Sequence, residues 1–142
     1  RMSRGLGDVY KRQDNAKKSE MAYATAAALW QAKKLSQART YAQKAISFNE
    51  NYGEPYILLA QMYGSNPNWS DEPALNRCTY YVVIDKLQRA KAVDPSVTDK
   101  VNELIATYAR HTPQAKDLFM LGYKAGDRIT IGGWIGESTT IR

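Results

Sequence analysis

Apolar and small residues recur three and four positions apart along most of the chain, which is the spacing of one buried helical face. The spacing predicts a first, alanine-rich helix over about 15–33. A tight turn over 34–36 follows, and Ser36 is a candidate N-cap for the second helix. A third helix is predicted over 54–63, since Pro55 is tolerated in a first turn. The positions expected to be buried on these three helices are Tyr23, Ala26, Leu29, Trp30, Ala38, Ala42, Ala45, Ile46, Leu58, Leu59, Met62 and Tyr63.

The second half of the chain begins with a break in this periodicity. Turn-forming residues crowd the segment 64–73, which predicts an inserted loop. Ser70 or Asp71 is expected to cap one long helix that reaches about Val93. A capping-box-like sequence over 96–99 then introduces a further amphipathic helix. The apolar positions of that helix are Val101, Leu104, Ile105 and Tyr108.

The last thirty residues change in character. A short helix is predicted within 113–122, and from Asp127 onwards isoleucine and threonine alternate around glycines. Alternation with period two is typical of β-strands, so 113–142 is expected to form a short helix plus a small β-hairpin or arm. Since an isolated hairpin is marginal in water, it should pack on the last helices or pair with another strand.

A repeat of about 34 residues underlies the helices. The segment 38–50 is answered by 83–95, and a short break and a new amphipathic segment follow each of them. The second unit carries an insertion of about eleven residues. Small residues at these spacings let two antiparallel helices approach closely, and such pairs stack into a solenoid. The predicted fold class is an all-α solenoid of helix hairpins with a small β element at the C-terminal end.

Composition and charge narrow the function classes. The formal net charge is +6, and half of it lies in residues 1–13. Residues 1–13 show no helical period, and the sequence of residues 8–13 resembles translated adapter sequence. Residues 1–14 are therefore predicted to be disordered or adapter-derived and to lie outside the fold. The remaining charge is scattered rather than clustered between aromatics, which disfavours nucleic acid binding. The longest apolar run, 80–84, is too short for a membrane span, and Cys78 is expected to be a small core residue.

The helical repeats resemble the tetratricopeptide repeat family, with units at 15–52, 53–97 and 98–112. In that family the first helix carries a small residue that faces the neighbouring helix. The second helix carries Ala, then an aromatic or small residue, then Ala, and it is followed by a proline. The matching residues are Ala26 and Ala60, then Ala38, Ala42 and Ala45, then Val83, Leu87, Ala90 and Pro95. Glu50 and Ile105 depart from the pattern. With its sequences at 94–97 and 133–140, the chain is also similar to the C-terminal parts of uncharacterised repeat proteins from Bacteroidetes.

This resemblance implies a right-handed α-solenoid that binds a peptide or protein partner in a concave groove lined by the first helix of each repeat. Carried over residue by residue, the groove would present Glu20, Tyr23, Ala27, Trp30, Gln31, Glu54, Ile57, Gln61, Asp99, Asn102 and Arg110. Trp30 is the leading candidate anchor, although it could instead cover the end of its helix pair. Glu20 and Glu54 could equally be solvated charges at helix starts.

Other functional classes have less support in the sequence. His111 is the only histidine and follows a helix, which favours a surface or helix C-terminal role over catalysis. Asp71-Glu72 lies on a predicted loop that would not hold two carboxylates in productive geometry. No Cys/His set has metal-ligand spacing, so the chain is predicted to be a non-catalytic scaffold with no metal and no cofactor.

Two alternatives remain open. Trp69 and Trp134 could offer exposed rings to glycan or peptidoglycan, as in a cell-envelope module. The chain could also be the terminal cap of a longer solenoid that self-associates through its N-terminal repeat end. Because residue 1 is Arg and not Met, the lack of a signal peptide in the sequence does not argue against secretion. The compartment is therefore left open, as either the cell envelope or periplasm, or the cytoplasm.

Overall fold

A computed structural model describes residues 4–142 of the chain. It confirms a mostly helical chain with a small two-stranded antiparallel sheet at the C-terminal end. In chain order the elements are α1 (Arg4–Gln31), α2 (Leu35–Phe48), α3 (Glu54–Ser65), α4 (Pro73–Arg77), α5 (Thr79–Val93), a 3₁₀ turn (Pro95–Val97), α6 (Thr98–Ala109), α7 (Ala115–Met120), β1 (Arg128–Thr130) and β2 (Ser138–Thr140).

The first hairpin, formed by α1 and α2, is closed by small residues. Ala26, Ala38, Ala42 and Ala45 are all fully buried, as the periodicity predicts. The Ser19 hydroxyl donates a hydrogen bond to the Ala45 carbonyl oxygen at 2.6 Å, directly between the two helices. Such a short bridge to a backbone oxygen is possible because no large side chain separates the helix axes.

The turn between α1 and α2 differs from the prediction. Lys33 has a φ of 62° and ends α1 in the left-handed region, with the Lys34 amide bonded to the Leu29 carbonyl at 2.9 Å. This compact turn starts α2 at Leu35, so Lys34 occupies the N-cap position and makes no side-chain capping bond. The predicted cap, Ser36, therefore lies inside the helix.

The start of α1 also corrects the sequence analysis. The helix begins at Arg4 rather than near Asn15, so residues 4–14 are helical and not disordered; residues 1–3 lie outside the described part of the chain. The periodicity gave no sign of this because residues 6–14, apart from Gly7, are exposed. Extending an existing helix needs no buried face, since each added residue gains a hydrogen bond without a new nucleus.

Helix α3 lies at the centre of the molecule. Eight of its twelve residues are buried, and they include the predicted Leu58, Leu59, Met62 and Tyr63. It forms the second hairpin with α5 and contacts α1 and α2 as well. An element that is covered on several sides needs an apolar surface around most of its circumference, and that is the composition of α3.

Helices α3 and α6 run side by side in the same direction. At one end Glu54 of α3 pairs with Lys100 of α6, and at the other a Cβ on Gly64 would lie 2.6 Å from the ring of Tyr108. The second glycine of this region, Gly53, is equally constrained, because its backbone N–H donates to the Asp94 carboxylate at 2.8 Å. A Cβ there would come within 2.9 Å of Asp94. Close approach therefore requires glycine at both ends of α3.

The single long helix predicted up to Val93 is wrong, because the chain breaks between α4 and α5 at Cys78. The inserted loop holds α4 in place: the Asn76 amide oxygen accepts the backbone N–H groups of Trp69 and Ser70 at 2.9 and 2.8 Å. At the start of α5 the Thr79 hydroxyl donates to the Pro67 carbonyl at 2.9 Å. These tethers set the direction of α4 independently of α5.

The β tail packs on the helices, as the sequence predicts. Ile129 pairs with Thr139 in the antiparallel register, and the Thr139 hydroxyl donates to Asp85 of α5 at 2.7 Å. The isoleucines of the tail join the core that the helices form: Ile129, Ile131, Ile135 and Ile141. The tail is therefore an integral layer of the fold and not a projecting arm.

One carboxylate ties this tail to three helices. Glu137 accepts a hydrogen bond of 2.5 Å from the Tyr63 hydroxyl of α3 and pairs with Lys86 of α5 at 2.7 Å. Arg39 of α2 lies 3.8 Å from the same carboxylate and donates from Nε to the Tyr63 oxygen at 2.8 Å. Burial, followed by the hydrogen bond to Glu137, raises the pKa of the Tyr63 phenol, so Tyr63 remains a donor.

Ala45→Arg tests the close approach of α1 and α2. The substitution forces a charged side chain into a fully buried position, so we expect the free energy of unfolding to fall by about 3 kcal/mol or more. Chemical denaturation measures the change. The control is Ala24→Arg on the exposed face of α1, which should change stability by less than about 0.5 kcal/mol. Equal, small effects of both substitutions would contradict the packing.

Candidate functional site

Among the first helices of the predicted repeats, α1 packs on α3, and α6 reaches α3 through the Lys100–Glu54 pair and through the Tyr108 ring beside Gly64. We call the surface that α1, α3 and α6 share the three-helix face. Glu20 and Gln31 of α1 are exposed on it, and Glu54 and Gln61 of α3 are half-buried. The anchoring contacts of the β tail lie instead on α2, on α5 and at the C-terminal end of α3. The three-helix face is therefore the surface on which most of the predicted groove residues come together.

A small polar cluster spans this face. The rings of Tyr23 and Tyr52 meet edge to face, with centroids 5.6 Å apart. Beside them the Glu54 carboxylate accepts from the Lys100 ammonium at 3.0 Å. The four side chains come from α1, from the loop before α3, from α3 and from α6. They form an aromatic surface next to one ion pair.

Electrostatics link the two halves of the cluster. Burial raises the pKa of Tyr23, the Glu54 carboxylate raises it further, and the Lys100 ammonium opposes the shift. Burial likewise raises the pKa of Tyr52, with Tyr23 and Glu54 adding to the effect. Both phenols are therefore neutral hydrogen-bonding groups at physiological pH, and Glu54 and Lys100 supply the local charge.

Trp30 lies at the other end of the face. Its side chain is half-buried and packs against the core. Its remaining surface lines a cleft of about 380 Å³ between the C-terminal ends of α1 and α3, with Gln31, Lys33 and Asn66 on the same cleft. The ring therefore covers the end of the helix pair and also offers an apolar edge to a cleft.

Two of the predicted groove residues do not lie on the open face. Ile57 is 1% exposed and belongs to the core, so it presents no side chain to a ligand. The Asn102 amide oxygen accepts from Lys91 of α5 at 3.0 Å, which places Asn102 on the α5 side of α6. Both errors are errors of helix phase, because the family pattern was carried over without knowing which side of each helix meets its neighbour.

The other predicted residues are accessible. Asp99 and Arg110 are exposed on α6, and Ala27 of α1 is half-buried. The sequence analysis missed Tyr52 and Lys100. Lys100 could have been found from the apolar positions of α6, since a helical projection that buries Val101 and Tyr108 turns Lys100 towards one flank of the helix.

The aromatic residues considered as glycan contacts pack against the protein. The Trp69 indole N–H donates to the Leu75 carbonyl at 3.1 Å, and a Cβ on Gly132 would lie 2.9 Å from the Trp69 ring. Trp134 meets Tyr63 edge to face at 5.3 Å. His111 stacks on Tyr80, with ring centroids 5.1 Å apart. Each of these rings has a structural contact on at least one side.

No protein-family model, curated protein or solved structure matches this chain. The assignment to the tetratricopeptide repeat family therefore stays a prediction from the sequence. Within residues 4–142, none of the helices combines the length and the apolar character that a membrane span requires.

Lys100→Ala tests whether the ion pair on the three-helix face holds the fold together. The Lys100 and Glu54 side chains are 51% and 27% exposed, so we expect the free energy of unfolding to fall by less than about 1 kcal/mol. Urea denaturation measures it, with Lys17→Ala on the exposed side of α1 as the control. If the free energy of unfolding falls several times further, the Lys100–Glu54 pair holds the fold together. The pair would then be a structural contact that is not free to bind a partner.

Proposed function

We propose that this chain is a non-catalytic interaction module of the tetratricopeptide repeat type, which binds a peptide or protein segment across the three-helix face. The single observation that carries the proposal is the adjacency of α1, α3 and α6, which join aromatic surface and an exposed ion pair on one side of the molecule. Such a combination supplies apolar anchors for affinity and charges that fix the register of the partner.

The stacking of the hairpins supports the solenoid part of this proposal. The α1–α2 and α3–α5 hairpins follow one another, and α6 packs on α5 and reaches α3 through the Lys100–Glu54 pair and the Tyr108 ring beside Gly64. A right-handed α-solenoid, the fold that the family resemblance implies, has this order of contacts, in which each unit meets its sequence neighbours.

The spacing of the anchors indicates what kind of partner fits. Tyr23 and Trp30 are both on α1, one near each end of the face, and seven residues separate them along the helix, or about 10 Å. An extended peptide advances about 3.3 Å per residue, so apolar side chains roughly three residues apart would reach both rings. At the Tyr23 end of the face, a basic group could approach Glu54 and an acidic group could approach Lys100.

The titratable groups with the largest pKa shifts support a non-catalytic role. Burial raises the pKa of the Cys78 thiol to about 11, and Tyr63 is fully buried and bonded to Glu137. Both groups are inside the protein and serve the fold, whereas a nucleophile or general base needs access to substrate and a pKa close to the working pH.

A displayed library of random peptides, selected on the full chain, tests the proposal. The selected peptides should bind Tyr23→Ala and Lys100→Glu variants at least about tenfold more weakly, because each change removes one half of the cluster. Isothermal titration calorimetry measures the affinities.

Matched controls are available on other surfaces of the chain. Tyr10→Ala removes an exposed tyrosine from the N-terminal part of α1, and Arg89→Glu reverses an exposed charge on α5. Both variants should retain the affinity of the wild-type chain. Peptides that lose affinity with the controls as much as with the face variants would contradict a binding site on the three-helix face.

A further inference from the structure

An apolar cleft lies at the opposite end of the chain from α1, between α7 and the last residues of the β tail. Its volume is about 480 Å³, which is within the range of small-molecule pockets. Leu118 and Ile141 line it, and both are almost completely buried, at 1% and 3% exposure. These two residues belong to the core, so they give the cleft a fixed apolar floor.

The walls of the cleft are unusually exposed for apolar side chains. Phe119 and Met120 on α7 are 76% and 84% accessible, more than any other large apolar side chain of the described residues. Tyr123 and Ala125 complete the apolar lining. Exposed apolar surface that lines a concavity, as opposed to scattered single residues, is typical of a binding site.

The charged side chains that line the cleft are all cationic. Lys116 and Lys124 line the cleft, and neither ammonium forms an ion pair within residues 4–142. The Arg142 guanidinium is different, because it pairs with Asp85 and lies over the ring of Tyr81. The cleft therefore has two free cations at its rim.

The carboxylates of Asp127 and Asp117 form no ion pair with either lysine within the described residues. An Asp127 oxygen accepts the backbone N–H of Lys124 at 2.9 Å in the turn before β1, and Asp127 does not line the cleft. Asp117 lines a separate cleft between α4 and α7, beside Glu72 and Leu121. A ligand in the apolar cleft would therefore meet a positive potential at its rim.

We infer that this cleft binds a small anionic amphiphile, a molecule with one extended apolar chain and a carboxylate head group. The apolar chain of the ligand would lie on Leu118 and Ile141 and would cover Phe119 and Met120. The carboxylate would pair with the ammonium groups of Lys116 and Lys124. The occupant follows from charge complementarity and from the apolar lining, since a cationic amphiphile would meet like charge and a fully polar anion would leave the apolar walls in water.

This site is independent of the proposed peptide-binding face. The cleft lies on α7 and the end of the β tail, whereas the three-helix face is formed by α1, α3 and α6. The inference therefore adds a ligand class to the chain and can fail without affecting the proposed protein interaction.

The test compares two amphiphiles that share one apolar chain and differ in charge. Dodecanoate and dodecyltrimethylammonium are titrated, below their micelle concentrations, into the full chain, and calorimetry gives the affinities. We expect dodecanoate to bind at least about tenfold more tightly. Circular dichroism verifies that neither amphiphile unfolds the chain. Equal affinities, or no binding of dodecanoate, would overturn the inference.

Two double variants with the same net charge separate the rim from the overall charge. Lys116→Glu with Lys124→Glu should abolish the preference for dodecanoate, because both partners of the carboxylate are reversed. Lys11→Glu with Lys17→Glu, on the exposed surface of α1, should leave the preference unchanged. If both double variants lose the preference equally, the effect is one of net charge and the assigned site is wrong.

A third variant tests the apolar lining, and vesicles test the other source of an anionic head group. Ala125→Trp places a large ring in the cleft and should weaken dodecanoate binding without unfolding the chain, because Ala125 is exposed. Binding to phosphatidylglycerol vesicles with no affinity for monomeric dodecanoate would overturn the inference in favour of a membrane surface.

Discussion

The arrangement of this protein depends on one carboxylate near the end of the chain. Glu137 contacts Tyr63, Lys86 and Arg39, and so joins the β tail to α3, α5 and α2. The cluster is only partly exposed: the side chains of Glu137, Lys86 and Arg39 retain 22%, 24% and 25% of their accessibility. Each charged member of such a cluster depends on the others, because loss of the one anion leaves two sheltered cations without an anionic partner.

The position of the tail determines which surfaces remain for function. Because Glu137 and the tail isoleucines hold residues 127–142 against α5 and the neighbouring ends of α2 and α3, the tail leaves the polar cluster around Tyr23 and Glu54 accessible. The same placement brings Ile141 under α7, where it forms the floor of the apolar cleft. The two proposed binding sites are therefore consequences of a single packing arrangement.

The sequence predicted those features that depend on local pattern. The buried alanines of α2 and the isoleucine–threonine alternation of the tail each carry a periodic signal, and both were interpreted correctly. It did not predict features that depend on contacts distant in sequence. Glu137 is a single acidic residue among glycines and threonines, and no pattern in the neighbouring sequence links it to Lys86. The break in the helix at Cys78 is caused by hydrogen bonds from the inserted loop. Ile57 and Asn102 were misplaced for a similar reason, because the phase of a helix becomes known only when its neighbours are known.

Hydrogen exchange of the backbone amides, followed by mass spectrometry on the full chain, tests whether the β tail is held on the helices. We expect amides in β1 and β2 to exchange nearly as slowly as those of α3 and α5, because the tail opens only when its contacts with these helices break. By contrast, residues 4–14, which extend as an exposed helix, should exchange fast. Rapid exchange throughout 127–142, with protection confined to the helices, would show that the tail is independent of the helices and would contradict its anchoring through Glu137.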